Sequence, residues 1–185
     1  MRKYTTALSA AALVVSSAFT ASVFAADGTI TINGKITDTT CTISVDGGSS
    51  DATVTLPTVS STSLAASGQT AGATPFNISL SNCSGTSLNT ASTYFEPGAY
   101  VDSVTGRLNI DTTASDAATN VQVQLLNANM NAIVAGASVA NGQNDVPVDI
   151  SAGNGTLNYF AQYYATGAST AGSVTTQVDY TMTYQ

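Results

Sequence analysis

An all-β sandwich or barrel is the fold this 185-residue chain predicts, and three observations predict it. Short runs rich in β-branched residues recur along it, clusters of Gly, Asn, Asp and Ser separate those runs, and no stretch of helical periodicity appears after residue 25. Many short strands at such spacing build sandwiches and barrels rather than parallel sheets.

The expected strands cover 29–37, 41–45, 52–56, 75–80, 92–95, 107–110, 120–126, 146–150, 156–164 and 174–184. Turns that tolerate positive φ lie between them at Asp46-Gly47-Gly48, Glu96-Pro97-Gly98, Thr105-Gly106, Asn141-Gly142 and Gly153-Asn154-Gly155. Residues 64–72, rich in Ala, Ser and Gly, read as a loop or one helical turn. No composition shift or internal repeat divides the chain beyond its leader, so one globular unit is expected.

The leader itself spans 1–25. Arg2 and Lys3 precede an apolar run from Ala7 to Phe19, and Val23-Phe24-Ala25 offers small or aliphatic residues for cleavage. The run is too short to cross a bilayer comfortably and reads as a cleaved secretory signal. Four basic residues against eleven acids and no histidine give a net charge of −7. Cleavage would remove Arg2 and Lys3 and leave Lys35 and Arg107 as the only cations. Nucleic acid and anionic membranes are poor partners for such a chain, because both need a basic patch to displace counterions. A surface of Thr, Ser, Asn, Gln and Gly suits an extracellular β-protein, or one that packs against copies of itself.

Removing 25 of 185 residues leaves 160, enough for one domain with its own core. Cys41 and Cys83 are the only cysteines. In an exported chain an even pair reads most simply as one disulfide, with a free thiol pair as the alternative. Closing that loop stabilises by about 4 kcal/mol in the chain-entropy description. Without histidine, two cysteines cannot fill a tetrahedral metal site, so neither metal nor cofactor is expected.

Two clean zigzags bracket the chain. At the front, Ile30, Ile32, Gly34 and Ile36 fall on one side. At the back, Val174, Thr176, Val178, Tyr180, Met182 and Tyr184 oppose Thr175, Gln177, Asp179, Thr181, Thr183 and Gln185. The last strand needs a partner for its amides and its apolar face. Either the front strand closes the sheet within one molecule, or it completes the sheet of a neighbouring copy.

The segment Gly28 to Cys41, the run Pro75-Phe76-Asn77-Ile78-Ser79-Leu80-Ser81-Asn82-Cys83, and Asn158-Tyr159-Phe160-Ala161 onward resemble the major subunits of type 1-like chaperone–usher fimbriae. Ala118-Thr119-Asn120-Val121-Gln122-Val123-Gln124-Leu125, Tyr164-Ala165-Thr166-Gly167-Ala168 and the closing Tyr184-Gln185 add to the resemblance, which covers essentially the whole chain after the leader. The resemblance implies an incomplete immunoglobulin-like β-sandwich that lacks its final strand and is completed by donor-strand exchange. It divides the chain into a signal peptide (1–25), a donor strand extension (26–37) and a pilin domain (38–185).

Carried onto this chain, the donor positions are Ile30, Ile32, Gly34 and Ile36. The edge offered to a periplasmic chaperone is Val178, Tyr180, Met182 and Tyr184, with the Gln185 carboxylate held by basic chaperone residues. An outer-membrane usher would then exchange the chaperone strand for that of the next subunit. A glycine among isoleucines fits a donor that passes close to a groove wall, and a bulge in an ordinary strand is the other reading.

Catalysis is not expected, since the usual near-neutral acid/base group is missing. Asp145 and Asp149, four apart in an expected strand, are read as solvated charges on one face rather than a catalytic pair. Tyr159, Tyr163 and Tyr164 are read as core or inter-subunit packing. The function expected is a non-enzymatic shaft subunit of a fimbria on the bacterial surface, exported through the periplasm. Its partners would be copies of itself or other fimbrial subunits, the chaperone and the usher, with no nucleic acid. The rival readings are a minor or tip-associated adhesin with receptor binding, and a self-complete exported binding module.

Overall fold

The computed structural model describes residues 30–85, 89–137 and 142–185. The signal peptide and the start of the front zigzag lie outside them. The chain divides into two units, Met1–Lys35 and Ile36–Gln185. In the first, residues 30–35 take part in no β-ladder, and Ile30 and Ile32 are 91% and 90% exposed.

The second unit is nearly all β. Its strands are β1 (Thr40–Val45), β2 (Thr70–Ser84), β3 (Thr90–Phe95), β4 (Leu108–Asn109), β5 (Val121–Leu126), β6 (Val148–Asp149), β7 (Gly155–Ala165) and β8 (Tyr180–Tyr184). They form a five-stranded sheet, ordered β1-β2-β7-β5-β4, and a three-stranded sheet, ordered β6-β3-β8, and every pairing is antiparallel.

Alternation along each strand decides what lies between the sheets. On β2, Phe76, Ile78 and Leu80 turn inward, and on β7 Leu157, Tyr159 and Ala161 do the same; Phe76 pairs with Tyr159 and Ile78 with Leu157. From the smaller sheet Ala91 and Phe95 join the same core. Tyr159 sits at its centre, 5.4 Å from the Phe76 ring and 5.3 Å edge-on from Phe95, so one side chain ties the two layers together. A second cluster of Leu64, Ile110, Ala118, Val121 and Ala165 fills one end. Burying Leu64 explains the 3-10 turn Ser61–Leu64, whose Ser60 hydroxyl accepts from the Thr62 amide. The expected helical turn thus falls just ahead of 64–72, and β2 begins inside that range at Thr70.

The two cysteines form a disulfide joining β1 to β2. Three expected strands need correction. Residues 30–37 and 52–56 form no ladder, and of 174–184 only Tyr180–Tyr184 pairs as a strand, leaving Val178 outside it. The side-chain periodicity of a strand is present in all three, but a strand also requires a neighbour for its backbone.

Candidate functional site: an unpaired sheet edge

The smaller sheet is asymmetric at its edges. Along β8, Gln185 N donates to Thr90 O, and Glu96 N donates to Asp179 O, so the odd-numbered residues face β3. Alternate residues of an antiparallel strand point opposite ways, and the peptide groups of Tyr180, Met182 and Tyr184 therefore face outward. Further back, Thr175 O accepts from Asp111 N, and Ser173 O from Ala118 N, which keeps the same parity. The peptide groups of Tyr180, Met182 and Tyr184 thus form an outward row that no strand among the described residues 36–185 pairs with, and residues 174–179 ahead of them form no ladder either.

Their side chains tell the same story. Val174, Val178, Tyr180, Met182 and Tyr184 pack on the main core yet stay only half-buried, whereas Thr175, Gln177, Asp179 and Thr181 are exposed. Residues 51–59 supply a second segment without a ladder. Val54 and Leu56 pack half-buried on the main core and Val59 on the second cluster, and these residues take part in no β-ladder. A Cβ on Gly72 would come within 3.2 Å of Pro57 Cγ and of Tyr163 Cδ2, which sets this segment against the start of β2. The Tyr180 hydroxyl donates to Ser50 O at 2.7 Å, so one end of the 174–184 row is tied to the beginning of the other. Val174 touches both clusters at the far end. Two segments, one with an unpaired outer side along β8 and one with no ladder, lay half-covered apolar side chains on one core. An arrangement of this kind has the chemistry to accept a strand: free backbone groups on one side and apolar side chains to cover.

The expected edge residues Val178, Tyr180, Met182 and Tyr184 are brought together here. Gln185 is exposed, but one of its main-chain oxygens accepts from Asn89 N (2.9 Å), Thr90 N (2.9 Å) and Thr90 Oγ1 (3.0 Å). Val54, Leu56 and Val59 on the opposite segment were not singled out by the sequence; the alternation in 52–56 was the available signal. Ile36 is fully exposed, like Ile30 and Ile32.

The tyrosines separate by role. Tyr159 is core; Tyr163 packs on the second cluster; Tyr164 carries the Arg107 guanidinium 3.8 Å above its ring. Asp145 corrects an expectation. It is not in a strand and is not simply solvated: its carboxylate accepts from Thr93 N at 2.7 Å and from the Tyr159 hydroxyl at 2.9 Å. Asp149 is exposed and accepts from Ser151 N. Cavities of about 210 Å³ beside Val101 and Val134, and about 290 Å³ beside Cys83 and Gly153, involve none of residues 174–184.

A β-sandwich with one strand's place open belongs to the class of domains that are finished by a segment from elsewhere. The chain belongs to the type-1 fimbrial protein family, whose model for the A protein matches residues 56–185. It is 50% identical over 163 residues to the major fimbrial subunit SMF-1 of Stenotrophomonas maltophilia (strain K279a), covering 86% of this chain and 94% of that one. It is 47% identical over 176 residues to the F17 fimbrial protein of Escherichia coli, covering 93% and 95%. The crystal structure of the P pilus rod subunit PapA superposes with a TM-score of 0.58 at 19% identity, over 78% of this chain and 99% of that one, and shows the shared immunoglobulin-like fold.

Proposed function

We propose that this protein is the repeating shaft subunit of a surface fimbria. Residues 26–37 act as donor strand and residues 38–185 as the acceptor domain. The observation that carries this reading is the pairing of opposites within one sequence: an outward backbone row along β8 with half-covered apolar side chains, and a segment outside any ladder whose Ile30, Ile32 and Ile36 are 91%, 90% and 100% exposed. In the fibre, the segment of one copy fills the open place in the next. Burying three isoleucines contributes about 5–9 kcal/mol before ordering costs, and the backbone ladder adds to that, so dissociation is very slow. Gly34 offers no side chain to bury and lets the donor run close to the acceptor. During export a periplasmic chaperone covers the Val178-to-Gln185 edge with a strand of its own, and an outer-membrane usher exchanges it. The protein supports attachment of the cell and performs no reaction, in keeping with a chain that has no histidine.

Deleting residues 26–36 tests this. The truncated subunit is expected to fold when held by the chaperone, to form no chains, and to become more compact and stable when a peptide of residues 26–37 is added. A truncated subunit that still forms fibres, or a full chain that stays monomeric once freed of the chaperone, overturns the reading.

A further inference from the structure

The other edge of the smaller sheet is shut, mostly by side chains, with Gly136 N adding one main-chain bond to Phe95 O at 2.9 Å. On β3, Thr90 and Glu96 use their amides on the β8 side, so Ala91, Thr93 and Phe95 face the opposite way. There β6 pairs only Thr90 with Asp149 and Ala91 with Val148. Beyond that point Thr93 N donates to Asp145 Oδ2 at 2.7 Å, and Phe95 N donates to Gln143 Oε1 at 2.8 Å. Gln143 Nε2 returns a bond to Phe95 O at 2.8 Å, so one side-chain amide mimics a peptide unit of a neighbouring strand.

The hooks are themselves anchored. Gln143 is 4% exposed, its carbonyl accepts from Val134 N, and Asn127 Nδ2 holds Asn144 O at 2.8 Å. Asn144 Nδ2 donates to Ala132 O at 2.9 Å, and the Tyr159 hydroxyl fixes Asp145 from the core. A fourth full strand would also satisfy Thr93 and Phe95, but would present the same unpaired row one strand further out. A side-chain amide and a carboxylate end the ladder.

We propose that Gln143 and Asp145 are specificity-determining edge guards: they deny the β3 edge to an incoming strand, so that the smaller sheet accepts the donor segment of a second copy only beside β8, and the fibre grows unbranched. The inference rests on strand acceptance at β8, but its signals lie at different amides.

The test uses the chaperone-released subunit with an excess of a peptide of residues 26–37. Binding is counted by native mass spectrometry, and residue-resolved hydrogen exchange is followed. In the unaltered protein one peptide is expected to bind beside β8, with protection gained at Tyr180, Met182 and Tyr184, and Thr93 and Phe95 protected with or without it. In Gln143→Ala/Asp145→Ala, exchange at Thr93 and Phe95 is expected to rise by at least about tenfold, with a second peptide bound or fibres associating sideways. Asp145→Asn, which keeps an acceptor for Thr93 N, is expected to behave as the unaltered protein. A folded double variant with exposed Thr93 and Phe95 amides that still binds one peptide and makes single fibres overturns the proposal. So does peptide-induced protection at the β3 edge of the unaltered protein, a result that needs no variant to fold. Failure of any peptide to protect Tyr180, Met182 and Tyr184 counts instead against strand acceptance itself.

Discussion

The Tyr180 hydroxyl reaches the Ser50 carbonyl at 2.7 Å across 130 residues of sequence, and in doing so links the strand-like row 174–184 to the start of the segment 51–59. Partial burial, and then the Asp51 charge, push its phenol above the ordinary value, so it donates throughout the neutral range. Tyr180→Phe removes the link but keeps the ring against the core. The expected loss is about 0.5–1.5 kcal/mol in a urea titration of the subunit, with an unchanged slope; an unmoved midpoint would show that the two segments are held by packing alone.

Reducing the Cys41–Cys83 bond, which closes a separation of 42 residues, is expected to cost about 4 kcal/mol. Because β1 is an edge strand held only by β2, the loss should appear first as faster hydrogen exchange in Thr40–Val45. Cys41→Ser/Cys83→Ser with unaltered stability in denaturant would contradict this.

Burial first, and then the Asp145 carboxylate, push the Tyr159 phenol far above its ordinary value. A folded-state value raised above the unfolded one means stability that is whole below about pH 10 and is lost as pH rises beyond it, when the unfolded chain ionises its phenols first. Absorbance at 295 nm should therefore show one tyrosine ionising only together with unfolding. Tyr159→Phe should remove that step and, by leaving Asp145 Oδ1 without its donor, cost about 1–3 kcal/mol.

Three carboxylates at the surface, Asp102 and Asp111 half-buried and Asp149 exposed, act at the opposite end of the pH scale. The backbone amides of Thr105 and Val104 lower Asp102, the amide and hydroxyl of Thr113 lower Asp111, and the Ser151 hydroxyl and amide lower Asp149. A lowered folded-state value gives stability that is present above the ordinary carboxylate value near 3.8 and is lost as pH falls through the folded-state values beneath it. Acid unfolding should therefore steepen below that value. Asp102→Asn, which keeps an acceptor for Thr105 and Val104 but not the charge, should flatten the pH dependence there.

Gly106 has φ +68°, and a Cβ on it would lie 2.5 Å from Val134 Cα. Gly106→Ala must both adopt a left-handed backbone and displace a neighbouring main chain, at an expected cost of about 1–3 kcal/mol. A thermal melt within a degree of the unaltered protein would contradict that placement.

Much of this could be read from residues alone, because the signals were local. The β-branched runs placed strands at 75–80 and 156–164, where β2 and β7 lie, and the cysteine count pointed to the bond that joins β1 to β2. The apolar side of the 174–184 zigzag also turned out to face the core. Alternation, however, records only which face of a segment is oily. It does not record whether a neighbour lies alongside to receive its amides, and so 52–56 and 174–179 read as strands although they lack ladder partners.

Asp145 differs from its expectation for the related reason that a charged residue in an expected strand looks solvated until the distant Thr93 amide and Tyr159 hydroxyl are brought to it. Residue type and spacing were enough for the β class, the apolar side of the C-terminal zigzag and the single covalent staple. Which edges are left open and which are capped emerged only once the chain was folded, because backbone hydrogen bonding between strands is settled by neighbours far apart in the chain.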